Sequence, residues 1–128
     1  MPSRVLALLT APSVSDPRGR RGTPTFRMAD AGTPAVDVLD LGVTRGDGVF
    51  ETISVGNGRA QAVDPHLARL ARSATMLELP VPDLAAWKEA VFAVVAALPA
   101  AREAFVKLVY TRGVEGTDRT TGWVYGEP

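Results

Sequence analysis

His66 and Arg69 stand three residues apart, with Ser73 one turn further on, a spacing that stacks them on one face of a helix. An arginine held there is a rigid, permanently charged fork suited to a phosphate or a carboxylate. Lys107 lies inside the strand-like segment Val106-Lys-Leu-Val-Tyr-Thr-Arg-Gly113. A lysine in such a place attacks a carbonyl as a nucleophile, contacts a substrate carboxylate, or packs its stem and keeps its tip in water; we expect one of the last two. Arg112, in the Thr-Arg-Gly turn, is a second candidate carboxylate contact. Upstream, Arg45 precedes Gly46-Asp47-Gly48, and Phe50 follows. Alternation along a strand sends Phe50 to the face opposite Val49, Glu51 and Ile53. The two glycines favour a turn with positive φ and close backbone approach. They do not form a phosphate loop, because the G-x-G-x-x-G pattern and the P-loop lysine are both missing.

Composition narrows the chemistry. The 128 residues fit one domain. Fourteen basic side chains balance fourteen acidic ones, which leaves no electrostatic footprint for nucleic acid or an anionic membrane. Twelve of the fourteen basic residues are Arg, so Lys88 and Lys107 are the only candidates for lysine chemistry. With no Cys and a single His, neither thiolate catalysis nor a cysteine or histidine metal cluster is expected. No apolar run has the length of a transmembrane helix, and Val5–Leu9 is too short for a signal-peptide core. A cytoplasmic location is the simplest expectation.

These residues need elements to hold them. Val5–Leu9 reads as a short buried strand, residues 11–34 as a long, mobile Pro/Gly/Ser-rich loop, and Val36–Leu41 as a further strand. Val49–Val55 is a strand entering a hairpin at Gly56-Asn57-Gly58. Asp64-Pro65 signals a helix start, and Leu67, Leu70, Ala71, Ala74 and Leu77 recur at helical spacing. Pro80 and Pro82 close that helix, and Asp83 caps a second, striped by Leu84, Trp87, Val91, Val94, Val95 and Leu98. Strands follow at Phe105–Thr111 and Gly122–Tyr125. The order predicts an α+β fold, an antiparallel sheet covered by a pair of helices.

The stretch Gly42-Val-Thr-Arg-Gly-Asp-Gly-Val-Phe-Glu-Thr-Ile53, followed by His66-Leu-Ala-Arg-Leu70, resembles the small domain of the class IV aminotransferases, pyridoxal 5'-phosphate (PLP) enzymes of fold type IV. The family includes branched-chain and D-amino-acid aminotransferases and 4-amino-4-deoxychorismate lyase. The resemblance covers residues 36–128, and residues 1–35 match poorly. It implies that Arg69 contacts the PLP phosphate, that Phe50 lines the substrate pocket and Arg45 its mouth, and that Lys107 faces the substrate side. His66 is read as a structural residue. Arg45 stands where branched-chain enzymes carry a tyrosine, which suits an anionic substrate. The Lys-Leu-Val-Tyr-Thr-Arg-Gly segment is similar to the lyase branch, which eliminates pyruvate to give 4-aminobenzoate for folate synthesis. A D- or branched-chain amino-acid aminotransferase is the alternative. The resemblance further implies a second, larger domain that brings the Schiff-base lysine, so that these residues alone hold no catalytic group, and a homodimer when complete. From another class of function, a non-catalytic module that binds a partner chain is also compatible with the sequence.

Overall fold

The computed structural model describes residues 3–128. Its strands are β1 (Val5–Leu9), β2 (Phe26–Ala29), β3 (Gly48–Gly56), β4 (Arg59–Ala60), β5 (Glu103–Thr111) and β6 (Thr121–Glu127). The helices are α1 (Leu41–Thr44), α2 (Val63–Met76) and α3 (Leu84–Ala97). All strand pairs are antiparallel, in the order β2-β1-β6-β5-β3-β4. This is the expected α+β architecture, with α2 and α3 packed on one face of the sheet.

Period-two alternation explains which face is covered. Val5, Ala7 and Leu9 of β1, Ile53 and Val55 of β3, Val106, Leu108 and Tyr110 of β5 and Val124 of β6 turn toward the helices and are buried. They meet Leu67, Leu70 and Ala74 from α2 and Ala86, Trp87, Ala90, Val91 and Val94 from α3. Each large apolar side chain fully buried there contributes about 1.5–3 kcal/mol. Trp87 sits at the centre, edge-on to Tyr110 with ring centroids 5.7 Å apart. Both aromatics satisfy their polar tips: Trp87 Nε1 donates to Pro12 O at 3.0 Å, and Tyr110 Oη donates to Pro80 O at 2.6 Å. Helix α3 approaches β6 closely because Gly122 faces it; a Cβ there would lie 2.7 Å from the Trp87 ring.

Three local expectations are corrected. Val36–Leu41 is not a strand. Asp37 Oδ1 accepts from Leu39 N at 2.8 Å and Asp40 Oδ1 accepts from Gly42 N at 2.9 Å, so the aspartates fold the segment into turns and cap α1. The loop expected over residues 11–34 contains β2, a four-residue edge strand templated by β1 and too short to show a period. The rest of it is pinned by backbone bonds such as Val14 N to Val81 O, 2.9 Å, and by the buried Asp16 held by Arg18. Helix α2 begins at Val63, before Asp64. Its N-cap is Ala62 in the left-handed region (φ 55°), where the chain turns sharply out of the hairpin, and no side chain caps it. Asp64 instead reaches Lys88 Nζ on α3 at 2.9 Å. Strands β1 and β2 belong to the same sheet as the rest.

Candidate functional site

Strand β3 sends its side chains to two different environments. On the helix-covered face Glu51 is buried, and α2 delivers His66 and Arg69 to it. Arg69 Nε donates to both carboxylate oxygens at 3.0 and 2.9 Å, and Nη2 lies 2.9 Å from Oε1. His66 Nδ1 is 2.8 Å from Oε1. Burial by itself would push the Glu51 carboxyl up; hydrogen bonds from Arg69 and His66, reinforced by charge, outweigh it and hold the group below the usual carboxylate range. Arg69 is in turn held more firmly in its charged form by Glu51.

On the opposite, uncovered face, Phe50 is 62% exposed and Lys107 Nζ stands 4.8 Å from its ring centroid, a cation–π distance. Sheet register explains the meeting. Phe50 pairs with Val109 and Thr52 with Lys107, so Lys107 is the diagonal neighbour of Phe50. Beside them opens a cavity of about 190 Å3 whose lining includes Gly42, Gly46, Gly48, Phe50, Lys107 and Thr111. Phe50 is therefore not a core residue. Arg45 is exposed at the C-terminal end of α1, next to Gly46. A larger cavity of about 460 Å3 lies away from these residues, against β1 and β6, and its lining includes Arg18 and Arg27.

The turn between Arg45 and Phe50 is held from behind. Gly46 has φ 64°, and a Cβ on Gly48 would come 2.8 Å from Tyr110 O, so both glycines are required as expected. Arg112 Nε donates to Asp47 Oδ2 at 2.6 Å and its Nη2 to Leu77 O at 2.8 Å, tying the turn to the C-terminal end of α2. Its backbone N also donates to Asp47 O at 3.0 Å. The donors a substrate carboxylate would use on Arg112 are thus engaged within the fold. Asp40, fully buried, accepts from Thr111 Oγ1 at 2.7 Å and joins α1 to the end of β5.

Sequence reading brought forward Arg69, Phe50, Lys107, Arg45 and Arg112; the structure places Phe50 and Lys107 together, Arg45 at the turn beside them, and Arg69 across the sheet. It missed Glu51, Asp47 and Asp40. Glu51 left a signal: an acid at a position that alternation points into the core needs cationic partners, and the next helix carries His66 and Arg69.

The two faces meet along one edge. Strand β5 flanks β3 along its whole length, whereas β4 pairs only with Val55 and Gly56. Gln61 N donates to Ser54 O, which turns the backbone groups of Ser54, and by alternation those of Thr52 and Phe50, toward the edge of β3 away from β5. Among the described residues, that edge carries no partner strand from Gly48 to Ile53.

The donor set fits an anion such as a phosphate at Arg69, whose Nη1 makes no hydrogen bond among the described residues. It does not pair that site with a lysine. Lys107 is on the other face, and Lys88 is bound to Asp64.

The family model for amino-transferase class IV matches residues 48–125. The chain belongs to this family. It is 43% identical over 99 residues to the bifunctional aminodeoxychorismate lyase / D-amino acid transaminase of Mycobacterium tuberculosis, a match that takes in 76% of this chain and 34% of that protein. Among solved structures it is similar to the fold IV-transaminase CpuTA1 from Curtobacterium pusillum, with a TM-score of 0.88 and 48% identity, covering 97% of this chain and 42% of the other. That span includes β1 and β2. It also resembles the PLP-bound form of a hypothetical aminotransferase from Mycobacterium tuberculosis, with a TM-score of 0.77 and 34% identity over 98% of this chain and 40% of the other. The chain thus spans about a third to two fifths of the length of these relatives.

Proposed function

We propose that this chain supplies the phosphate arginine and one wall of the substrate site of a PLP-dependent lyase, an aminodeoxychorismate lyase that eliminates pyruvate from an anionic substrate. The observation that carries the reading is Arg69, presented by α2 with Nε and Nη2 held by Glu51 and Nη1 making no hydrogen bond among the described residues. Arg69 binds the cofactor's phosphate. When bound, PLP serves as the electron sink for the reaction. Phe50 packs against the substrate, while Lys107 and Arg45 offer cationic donors to its carboxylates. Arg112 and Asp47 keep the mouth of the cavity in place.

The lysine that anchors the cofactor covalently comes from outside these residues, because a lysine must reach the same molecule that Arg69 holds and neither Lys88 nor Lys107 faces Arg69. Borohydride reduction in the presence of PLP, followed by peptide mapping, tests this assignment. We expect no adduct at Lys107; a stoichiometric one would overturn it. A D-amino-acid transaminase is the second reading, supported by the double activity named for the tuberculosis relative. In the enzyme completed by its lysine-bearing part, pyruvate release from aminodeoxychorismate without an amino acceptor favours the lyase. Pyruvate formation from D-alanine only when an oxo acid is supplied favours the transaminase.

A further inference from the structure

Glu51 is the one acid among the helix-facing residues of β3, with its side chain 5% exposed, and its place is set by the sheet, where it pairs with Leu108. Arg69 is the opposite case. Its side chain is 58% exposed, on a long stem that water leaves free to sample many rotamers. Yet its Nε and Nη2 are both committed to Glu51. A planar guanidinium bound to a carboxylate along that edge has its Nη1 corner turned away. His66, one turn before Arg69 on the same helix face, contacts the same carboxylate and keeps it from rotating.

We propose that Glu51, braced by His66, is a positioning residue that fixes the plane of the Arg69 guanidinium and so presents its Nη1 corner ready-made to the phosphate. The inference rests on the reading of Arg69 as the phosphate contact. It gives the first and last polar members of His66-Leu-Ala-Arg69 and the acid of Phe50-Glu-Thr52 a single task, for which one strand position and one helix face suffice. Pre-ordering of this kind strengthens binding by removing the cost of immobilising a flexible side chain at the moment of association. A carboxylate this close also repels an incoming anion, so removing Glu51 changes attraction and order in opposite directions. Affinity alone is therefore a poor readout; the order of the guanidinium is the better one.

The test uses the 128-residue chain labelled with nitrogen-15, inorganic phosphate as the probe, and the arginine Nε–Hε signals as the readout. The Arg69 signal, identified by its loss in Arg69→Lys, is expected to stand apart from those of exposed arginines. It should exchange with water about tenfold more slowly than they do and shift saturably with phosphate. In Glu51→Gln it should merge with the exposed arginines and lose most of the phosphate shift, and in His66→Ala it should move part of the way. Arg18 and Arg112 serve as internal controls, because their Nε groups donate to Asp16 and Asp47 and should keep their signals in both variants. An Arg69 signal unchanged in Glu51→Gln, still shifting with phosphate, would overturn the positioning role and leave the phosphate reading standing. A wild-type signal that is ordered yet indifferent to phosphate would overturn the phosphate reading, and the proposal with it. Should Glu51→Gln lose the two control signals as well, His66→Ala decides, and an undisturbed Arg69 signal there refutes the bracing.

Discussion

Arg69 and Lys107 carry the same charge on opposite faces of the sheet, and in the proposed function that separation divides their tasks. Arg69 is turned toward the helix-covered side by Glu51, whereas Lys107 leans over Phe50 on the open side. Their replacements should therefore affect different measurements in the lysine-bearing holoenzyme. Arg69→Ala is expected to weaken PLP retention about 10- to 100-fold, the range of a lost charge-assisted hydrogen bond, as read from cofactor dissociation on dilution. Lys107→Met should leave retention unchanged and raise KM for an anionic substrate about tenfold, with little change for a neutral one. Equal effects of both changes on PLP retention would show that the two faces are not functionally distinct. The types and spacing of these residues were legible in the sequence. Their separation across the strand was only half legible: alternation set Glu51 against Phe50, but the partners of Glu51 depend on where α2 lands.

At the scale of elements, the turn at Gly46–Gly48 is the least self-sufficient part of the site. It is too short to hold itself and borrows its shape from the end of β5, through Arg112 and Asp47, and from the C-terminal end of α2, through Leu77 O. Arg112→Ala should cost about 1–2 kcal/mol, less than a buried charged pair would, because the contact is partly exposed. Urea unfolding would measure that cost, and amide exchange at Asp47 and Gly48 should rise more than exchange in α3. Uniform loosening across the chain would contradict the clamp. Short elements were also where sequence reading failed. Strand β2 has four residues, and the turns at Asp37 and Asp40 interrupt an apolar pattern that otherwise suits a strand, because a side-chain acceptor two residues back captures the backbone N–H a sheet would use.

Across the whole molecule, two buried carboxylates link stability to pH. Burial would raise Asp16 as it would Glu51, but the Arg18 hydrogen bonds outweigh it and Asp16 also sits below its usual range. A carboxyl depressed in the folded chain binds fewer protons there than in the unfolded chain at the same pH. Stability therefore rises with pH through that window and is lost as pH falls. The contribution should be complete above about pH 5 and decline through the ordinary carboxylate range toward the lower folded values. Urea midpoints measured from pH 7 down to pH 3 should fall, with a shallower decline in Glu51→Gln; a flat profile would show that these ion pairs do not persist in solution. On the face of the sheet away from α2 and α3, Phe50 is exposed, whereas Trp123 and Tyr125 are half-buried beside Ala31, Thr33, Ala35 and Val36.

Local and periodic information sufficed for the long elements. The alternation in β3 and β5 and the 3.6-residue stripes of α2 and α3 express burial on one side of a regular backbone, and that pattern survives any arrangement of neighbours. The same patterns, together with Gly46-Asp47-Gly48 and His66-Leu-Ala-Arg69, were enough to reach the family and the residues that could bind a phosphate and a substrate. Which of those residues meet was decided by tertiary structure. Register between β3 and β5 put Lys107 beside Phe50, the brevity of β4 left an edge bare, and the landing of α2 joined Glu51 to His66 and Arg69. Those contacts depend on strand order and helix placement, which are set by the summed packing of the core around Trp87 and encoded in no single stretch of the chain.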